Sequence, residues 1–187
     1  MAITSELKKS GFQTTNAASL SQPDKEANYR SLPQNLEAEQ GLLGTLLIDN
    51  RAYEKIGDYL KPEHFFAPAH QRIYQAIRTL IDRGQTASPV TLKTFFEKDA
   101  DLEQVGGAAY LVDLAGSVIS VLNIEDYART TYDLYLRREM ITFGNDVVNE
   151  SFDHNLEQDA QDIIEGAEAR LFSMAETGDG QASFVTL

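Results

Sequence analysis

From Asn123 to Phe152 the chain reads NIEDYARTTYDLYLRREMITFGNDVVNESF, with no proline and one glycine, Gly144. Such a run predicts a single helix of roughly 45 Å at the usual rise per residue. Its apolar residues fall on two stripes. Leu136, Met140, Phe143 and Val147 follow a 4-3-4 spacing, while Leu134, Ile141 and Val148 recur at intervals of seven. A DHN break follows, and a further helix is expected to start near Asp159. In it Ala160, Ile164, Ala167, Leu171 and Met174 keep a 4-3-4-3 spacing, a seam suited to helix-on-helix packing. Two antiparallel helices are the expected result. One partner helix covers only one of the two stripes, so the other needs the globular part of the chain or a second molecule.

Ahead of this arm the sequence reads as a set of shorter helices. In NLEAEQGLLGTLLIDN, residues 35–50, Asn35 is placed as N-cap. Glu37 and Glu39 sit in the first turn, where the helix dipole is sufficient reason for acids. Leu36, Leu42, Leu43, Leu46 and Leu47 supply the apolar stripe. A second helix is expected from about Asn50 to Leu60, with Ala52, Tyr53, Ile56, Tyr59 and Leu60 on one face. KPEHFFAPAH reads as a turn carrying Phe65 and Phe66. Beyond Pro68 an amphipathic helix places Ile73, Tyr74, Ile77, Leu80 and Ile81 inward and stops at Gly84. Ser88-Pro89 reads as N-cap and first position of a helix through Leu92, Phe95 and Phe96. The Gly106-Gly107 turn then feeds a short helix with Tyr110, Leu111 and Leu114 inside.

No stretch alternates with period two, and the one Asp-Gly pair, Asp179-Gly180, has no strand pattern on either side. The expected fold is therefore all-α: a globular helical bundle over residues 32–120, then a long antiparallel helical hairpin for assembly over 121–176. Residues 1–31 are polar and aperiodic and read as a disordered tail. Residues 177–187 read as the start of a linker. Its apolar ending, with Phe184, Val185 and Leu187, suggests a fragment.

The net charge is −13, and residues 150–179 hold nine acids against Arg170 alone. Sequence-independent DNA affinity depends on lysine and arginine displacing counterions, so direct DNA binding is not expected. There is no cysteine, which fits a reducing compartment and leaves no thiolate chemistry. No secretory h-region and no membrane-length apolar run occur, and a cytoplasmic protein is expected. The chain contains no Gly-Lys dipeptide and hence no GxxxxGK[ST] phosphate loop, nor HExxH, GxSxG or GxGxxG. His70 falls on an apolar helix face and reads as a satisfied core histidine. His64 and His154 read as solvated loop histidines. A metal on Glu63, His64 and His70 would need a fourth ligand that the sequence does not offer. Arg137 suits Asp133 at i, i+4, whereas Arg138 is poorly spaced for either Asp133 or Glu139. The residues point to a binding or assembly module with no catalytic, cofactor-binding or metal site.

Four blocks in this order and spacing carry a resemblance: LPQNLEAEQGLLGTLLIDN, PEHFFAPAHQRIYQAI, VGGAAYLVDLA and NIEDYARTTYDLYLRREMI. Together, over about residues 32–176, they resemble the N-terminal region of the bacterial replicative DNA helicase of the DnaB type. The resemblance implies a helical head and a hairpin whose pairing between subunits builds the collar of a hexameric ring. It implies further copies of the chain, primase and a helicase loader as partners. ATP and Mg would belong to a RecA-like motor domain, missing here, that unwinds duplex DNA in the parent protein. Tyr127, Leu134, Met140, Ile141, Phe143, Val147, Ile164, Leu171 and Phe172 are the residues expected to pack and pair at a subunit or primase interface. Ile141 and Val147 lead for primase. The competing readings are a stand-alone helical adaptor outside replication and a small all-α hydrolase built on clustered acids.

Overall fold

Asn35 caps the first helix as its position predicts, its Oδ1 accepting from the Ala38 N–H at 3.0 Å. The structure, a computed structural model, describes residues 31–96, 107–117, 124–153 and 159–179. Residues 1–30 of the tail expected over 1–31, and residues 180–187 of the expected linker, lie outside these residues. So do Gly106 of the Gly-Gly turn and His154 and Asn155 of the DHN break. The chain divides into two units, Met1–Ser31 and Leu32–Leu187, and every helix among the described residues belongs to the second.

In order these are α1 (Leu36–Ile48), 3₁₀ helices at Asn50–Lys55 and Pro62–His64, α2 (Pro68–Asp82), α3 (Pro89–Phe96), α4 (Gly107–Gly116), α5 (Ile124–Phe152) and α6 (Ala160–Asp179). No strand occurs among the described residues, and the fold is all-α, a bundle followed by a helical hairpin. α1 is buried nearly all round, with Leu42, Leu43 and Leu46 fully inaccessible, and it packs against α2, α4 and α5. A helix apolar on every side has to run through the middle of a core. Ile73, Tyr74 and Ile77 of α2, Leu92 of α3, Leu111 of α4 and Ile124 and Ala128 of α5 close around it.

The helix ends are set locally. α2 stops in a Schellman motif: the Gly84 N–H donates to Ile81 O and the Gln85 N–H to Leu80 O, both at 2.8 Å. Gly84 has φ +68, a backbone angle that a Cβ penalises. Ser88 Oγ accepts from the Thr91 N–H at 3.3 Å ahead of Pro89, as that pair predicts.

The second element differs from expectation. In place of an α-helix from Asn50 to Leu60 there is a 3₁₀ helix, Asn50–Lys55, followed by turns. Asn50 causes part of this. Its Nδ2 donates to Leu46 O and Ala87 O, and its Oδ1 accepts from the Ala87 N–H at 2.8 Å. That three-way tie holds the chain at the end of α1, and the tighter winding still carries Ala52 and Ile56 into the core.

α5 belongs to the head at its start and to the hairpin at its end. Its buried residues are Ile124, Ala128, Thr131 and Tyr132, and beyond Arg138 none is buried. α6 doubles back along it: Arg170 Nη1 donates to Asp146 Oδ2 at 2.7 Å, and its guanidinium lies 5.6 Å from the Phe143 ring centre. The expected seam on α6 is corrected here. Ile163, Ala167, Arg170 and Met174 are the half-buried set, while Ile164 and Leu171 are 51% and 41% exposed. Ala167 and Met174 keep their expected place, while Ile163 and Arg170 stand where Ile164 and Leu171 were expected, Arg170 pairing with Asp146 and lying over Phe143.

Candidate interaction surface on the helical hairpin

The nine residues expected at an interface separate into three groups. Tyr127 lies within the head, where a Cβ on Gly41 of α1 would sit 2.9 Å from its ring. Phe143 and Val147 are half-buried on the α6 side of α5, and Leu134 is half-buried nearer the head. Met140, Ile141, Ile164, Leu171 and Phe172 are exposed. Ile141 at 41% exposure and Phe172 at 66% are large apolar side chains facing water on two helices of one hairpin. Val148 and Phe152 extend the α5 set; the first lay on the predicted stripe and the second was missed. Helix geometry turns Ile141, Val148 and Phe152 away from Phe143, so these three lie on the side opposite α6, while Met140 shares the stripe of Phe143. The hairpin therefore presents more than one apolar face.

Polar side chains at the base of the hairpin hold the surface in place. Glu39, for which the helix dipole was sufficient reason, is buried. Its Oε1 accepts from the Phe66 N–H at 2.6 Å, and its Oε2 accepts from the Ala67 N–H at 3.3 Å and from His70 Nδ1 at 2.6 Å. His70 Nε2 then accepts from the Tyr110 hydroxyl at 2.6 Å, and that oxygen accepts from Gln40 Nε2 at 3.1 Å. This chain joins α1, α2 and α4, and it makes His70 the satisfied core histidine its helix face predicts. Burial of the Tyr110 phenol raises its pKa, so the hydroxyl remains a donor.

His64 also departs from expectation. It is buried, not solvated, with its ring 4.5 Å from Tyr135 and 4.8 Å from Tyr132. Burial first, and then the cations Lys61 and Arg138 against the opposing Glu63, pull its pKa down to about 4. Its neutral Nδ1 accepts from the Lys61 N–H at 3.1 Å. Arg137 pairs with Asp133 at 2.7 Å as spaced. Arg138, without a partner in sequence register, reaches the head: Nη1 donates to Pro33 O at 2.9 Å and Nη2 to His64 O at 2.7 Å. No sequence signal marked these contacts, because their partners are 105 and 74 residues away.

Among the described residues no group of three or more His, Asp or Glu is placed to hold a metal, and no helix is long and apolar enough to cross a membrane. What the hairpin offers is apolar area on a fixed support, the property of a docking surface.

The DnaB-like helicase N terminal domain family matches residues 31–133. The replicative DNA helicase DnaB of Rickettsia conorii is 40% identical over 158 residues, which is 84% of this chain and 32% of that protein. The replicative DNA helicase DnaC of Bacillus subtilis is 33% identical over 149 residues, 80% of this chain and 32% of its own length. The chain thus spans about a third of the length of these curated relatives. Among solved structures, the N-terminal domain of DnaB helicase from Mycobacterium tuberculosis superposes with a TM-score of 0.70 at 31% identity, covering 76% of this chain and 99% of that one. A DnaB-like replicative helicase, solved to show its interactions with primase, gives a TM-score of 0.60 at 25% identity over 75% of this chain and 31% of that one. The match to more than half of the chain and the shared helical fold make this chain a member of the DnaB-like helicase N-terminal-domain family.

Proposed function

We propose that this chain is the N-terminal assembly and primase-docking part of a replicative DNA helicase. The head, which the structure extends from 32–120 to include the start of α5, positions the hairpin formed by the rest of α5 and α6, and hairpins of neighbouring copies pair to build the collar of a hexameric ring. The observation that carries this reading is the exposed apolar face on each helix of the hairpin, Ile141 and Val148 on α5 and Ile164, Leu171 and Phe172 on α6. A stable pair of copies should bury about 1,200–2,000 Å² in total, and two helices per copy can supply it. The likeness to a helicase solved for its interactions with primase supports replication over a stand-alone adaptor.

In the parent protein, residues 177–187 would lead into a RecA-like motor carrying ATP, Mg and the unwinding activity. The Rickettsia conorii relative is covered over 32% of its length, which leaves room for such a motor in the parent. A helicase loader and a cytoplasmic setting belong to the same reading. The acidic hairpin suits contacts with proteins while DNA is guided elsewhere.

Solution mass by light scattering over a concentration series, for the chain and for Leu171→Asp, tests the proposal. A dimer or larger species that the substitution dissociates with helicity retained is the expected outcome. A monomer at every concentration would sink self-assembly through the hairpin. For primase, Ile141→Asp should weaken binding with the fold intact, while Val147→Asp should first disturb the hairpin itself.

A further inference from the structure

Arg138 stands where α5 leaves the head. The last buried residues of α5, Thr131 and Tyr132, lie two turns back, and Tyr135 and Leu136 still pack against the core. Beyond Arg138 the helix continues through exposed and half-buried positions to Phe152. The Arg138 guanidinium donates to the carbonyls of Pro33 and His64 at 2.9 and 2.7 Å, and it lies 5.6 Å from the Phe66 ring centre and 6.0 Å from that of Tyr135. A guanidinium is planar and its N–H vectors are fixed. Both bonds therefore form only when α5, the segment leading into α1, and the turn at 64–67 take one relative position.

That turn is itself immobilised from the far side. Glu39 accepts from the Phe66 and Ala67 N–H groups, Gln71 Nε2 donates to Phe65 O at 2.8 Å, and the His64 ring accepts from the Lys61 N–H. An anion on α1 thus holds the amide side of the turn, and a cation on α5 holds its carbonyl side. We propose that Arg138 is a latch that fixes the direction in which the hairpin leaves the head, with the Glu39-held turn as its catch. The hairpin's apolar faces are then aimed by one side chain at its base. The proposal does not depend on what those faces bind.

The chain has no cysteine, so two introduced ones at exposed positions, Glu54→Cys on the head and Glu168→Cys on α6, take spin labels cleanly. Pulsed electron paramagnetic resonance on labelled chain diluted with unlabelled chain then reports the distance from head to hairpin within one molecule. The parent should give a single narrow distribution. Arg138→Met should shift it and make it about twofold broader, with helicity unchanged. Arg137→Met, one position away on the exposed pair with Asp133, should leave it as in the parent. A parent-like distribution in Arg138→Met would overturn the latch. Should that variant lose helicity, Arg138→Lys decides in its place, since lysine keeps the charge but reaches one carbonyl at a time. A broadened distribution then supports the latch, and parent-like width overturns it.

Discussion

Glu39 shows how far one side chain can depart from its local explanation. An acid in the first turn of a helix is accounted for by the dipole alone, yet here the carboxylate is buried and accepts three hydrogen bonds, two of them from backbone N–H groups. Glu39→Ala strands those donors in the core. At the usual cost of buried unsatisfied groups, it should lower unfolding free energy by about 3 kcal/mol, measured by urea titration. A loss within the range of an ordinary surface substitution would mean that the turn at 64–67 finds other acceptors. His64 carries a second test. Its pKa is about 4 in the folded chain and near the ordinary 6.5 when unfolded. Above about pH 6.5 both states are neutral and the full stability is present. As pH falls toward 4 the unfolded chain takes up the proton first, and up to about 3 kcal/mol is lost. Below that both states are protonated and this contribution stops changing. His64→Asn, whose Oδ1 can still accept from Lys61, should flatten the slope between those limits relative to the parent; an equal slope would show that other groups set it. Neither role was legible in the sequence. Glu39 read as a first-turn acid and His64 as a solvated loop histidine, because their partners come from segments that only the tertiary fold brings near.

Elements were more legible than side chains. Asn35, Gly84 and Ser88-Pro89 act through neighbours within five residues, so their spacing alone marked where α1, α2 and α3 begin or end. The stretch at 50–60 was misread because its fate rests on Ala87, 37 residues on, which binds Asn50. The hairpin was legible as a pair of helices, but its rotation was not. Apolar periodicity favoured Ile164 and Leu171 at the seam, where Ile163 and Arg170 stand instead, Arg170 binding Asp146 and covering Phe143. Since the side chains of Arg170 and Asp146 are both 40% exposed, the pair is screened and worth no more than about 1 kcal/mol. Arg170→Ala should therefore leave the cooperative melting of the head nearly unmoved. It should speed amide hydrogen exchange along α6, where no described side chain is buried. Unchanged exchange would mean that Ile163, Ala167 and Met174 hold the helix without it.

At the scale of the whole molecule, apolar faces sit on a strongly acidic chain. Each copy carries −13 at neutral pH, and residues 150–179 alone contribute −8, with nine acids, one arginine and His154 neutral. Two hairpins that pair through Ile141, Val148, Leu171 and Phe172 bring like charges together, and the apolar area has to outweigh that repulsion. Salt separates the two effects. Raising ionic strength from about 0.1 to 1 M shortens the screening length from about 10 to 3 Å, which weakens repulsion between the copies and leaves burial of apolar surface intact. Self-association should therefore tighten as salt rises, and sulfate should tighten it more than chloride because it also favours apolar burial. Leu171→Asp should remove most of this response, since it places a further negative charge on the face that must be desolvated. The mass distribution by sedimentation equilibrium across a salt series reads all three. Association that loosens with added salt would assign the contact to ion pairs between the basic residues of one copy and the acidic hairpin of another, and the apolar faces would then be left for a different partner.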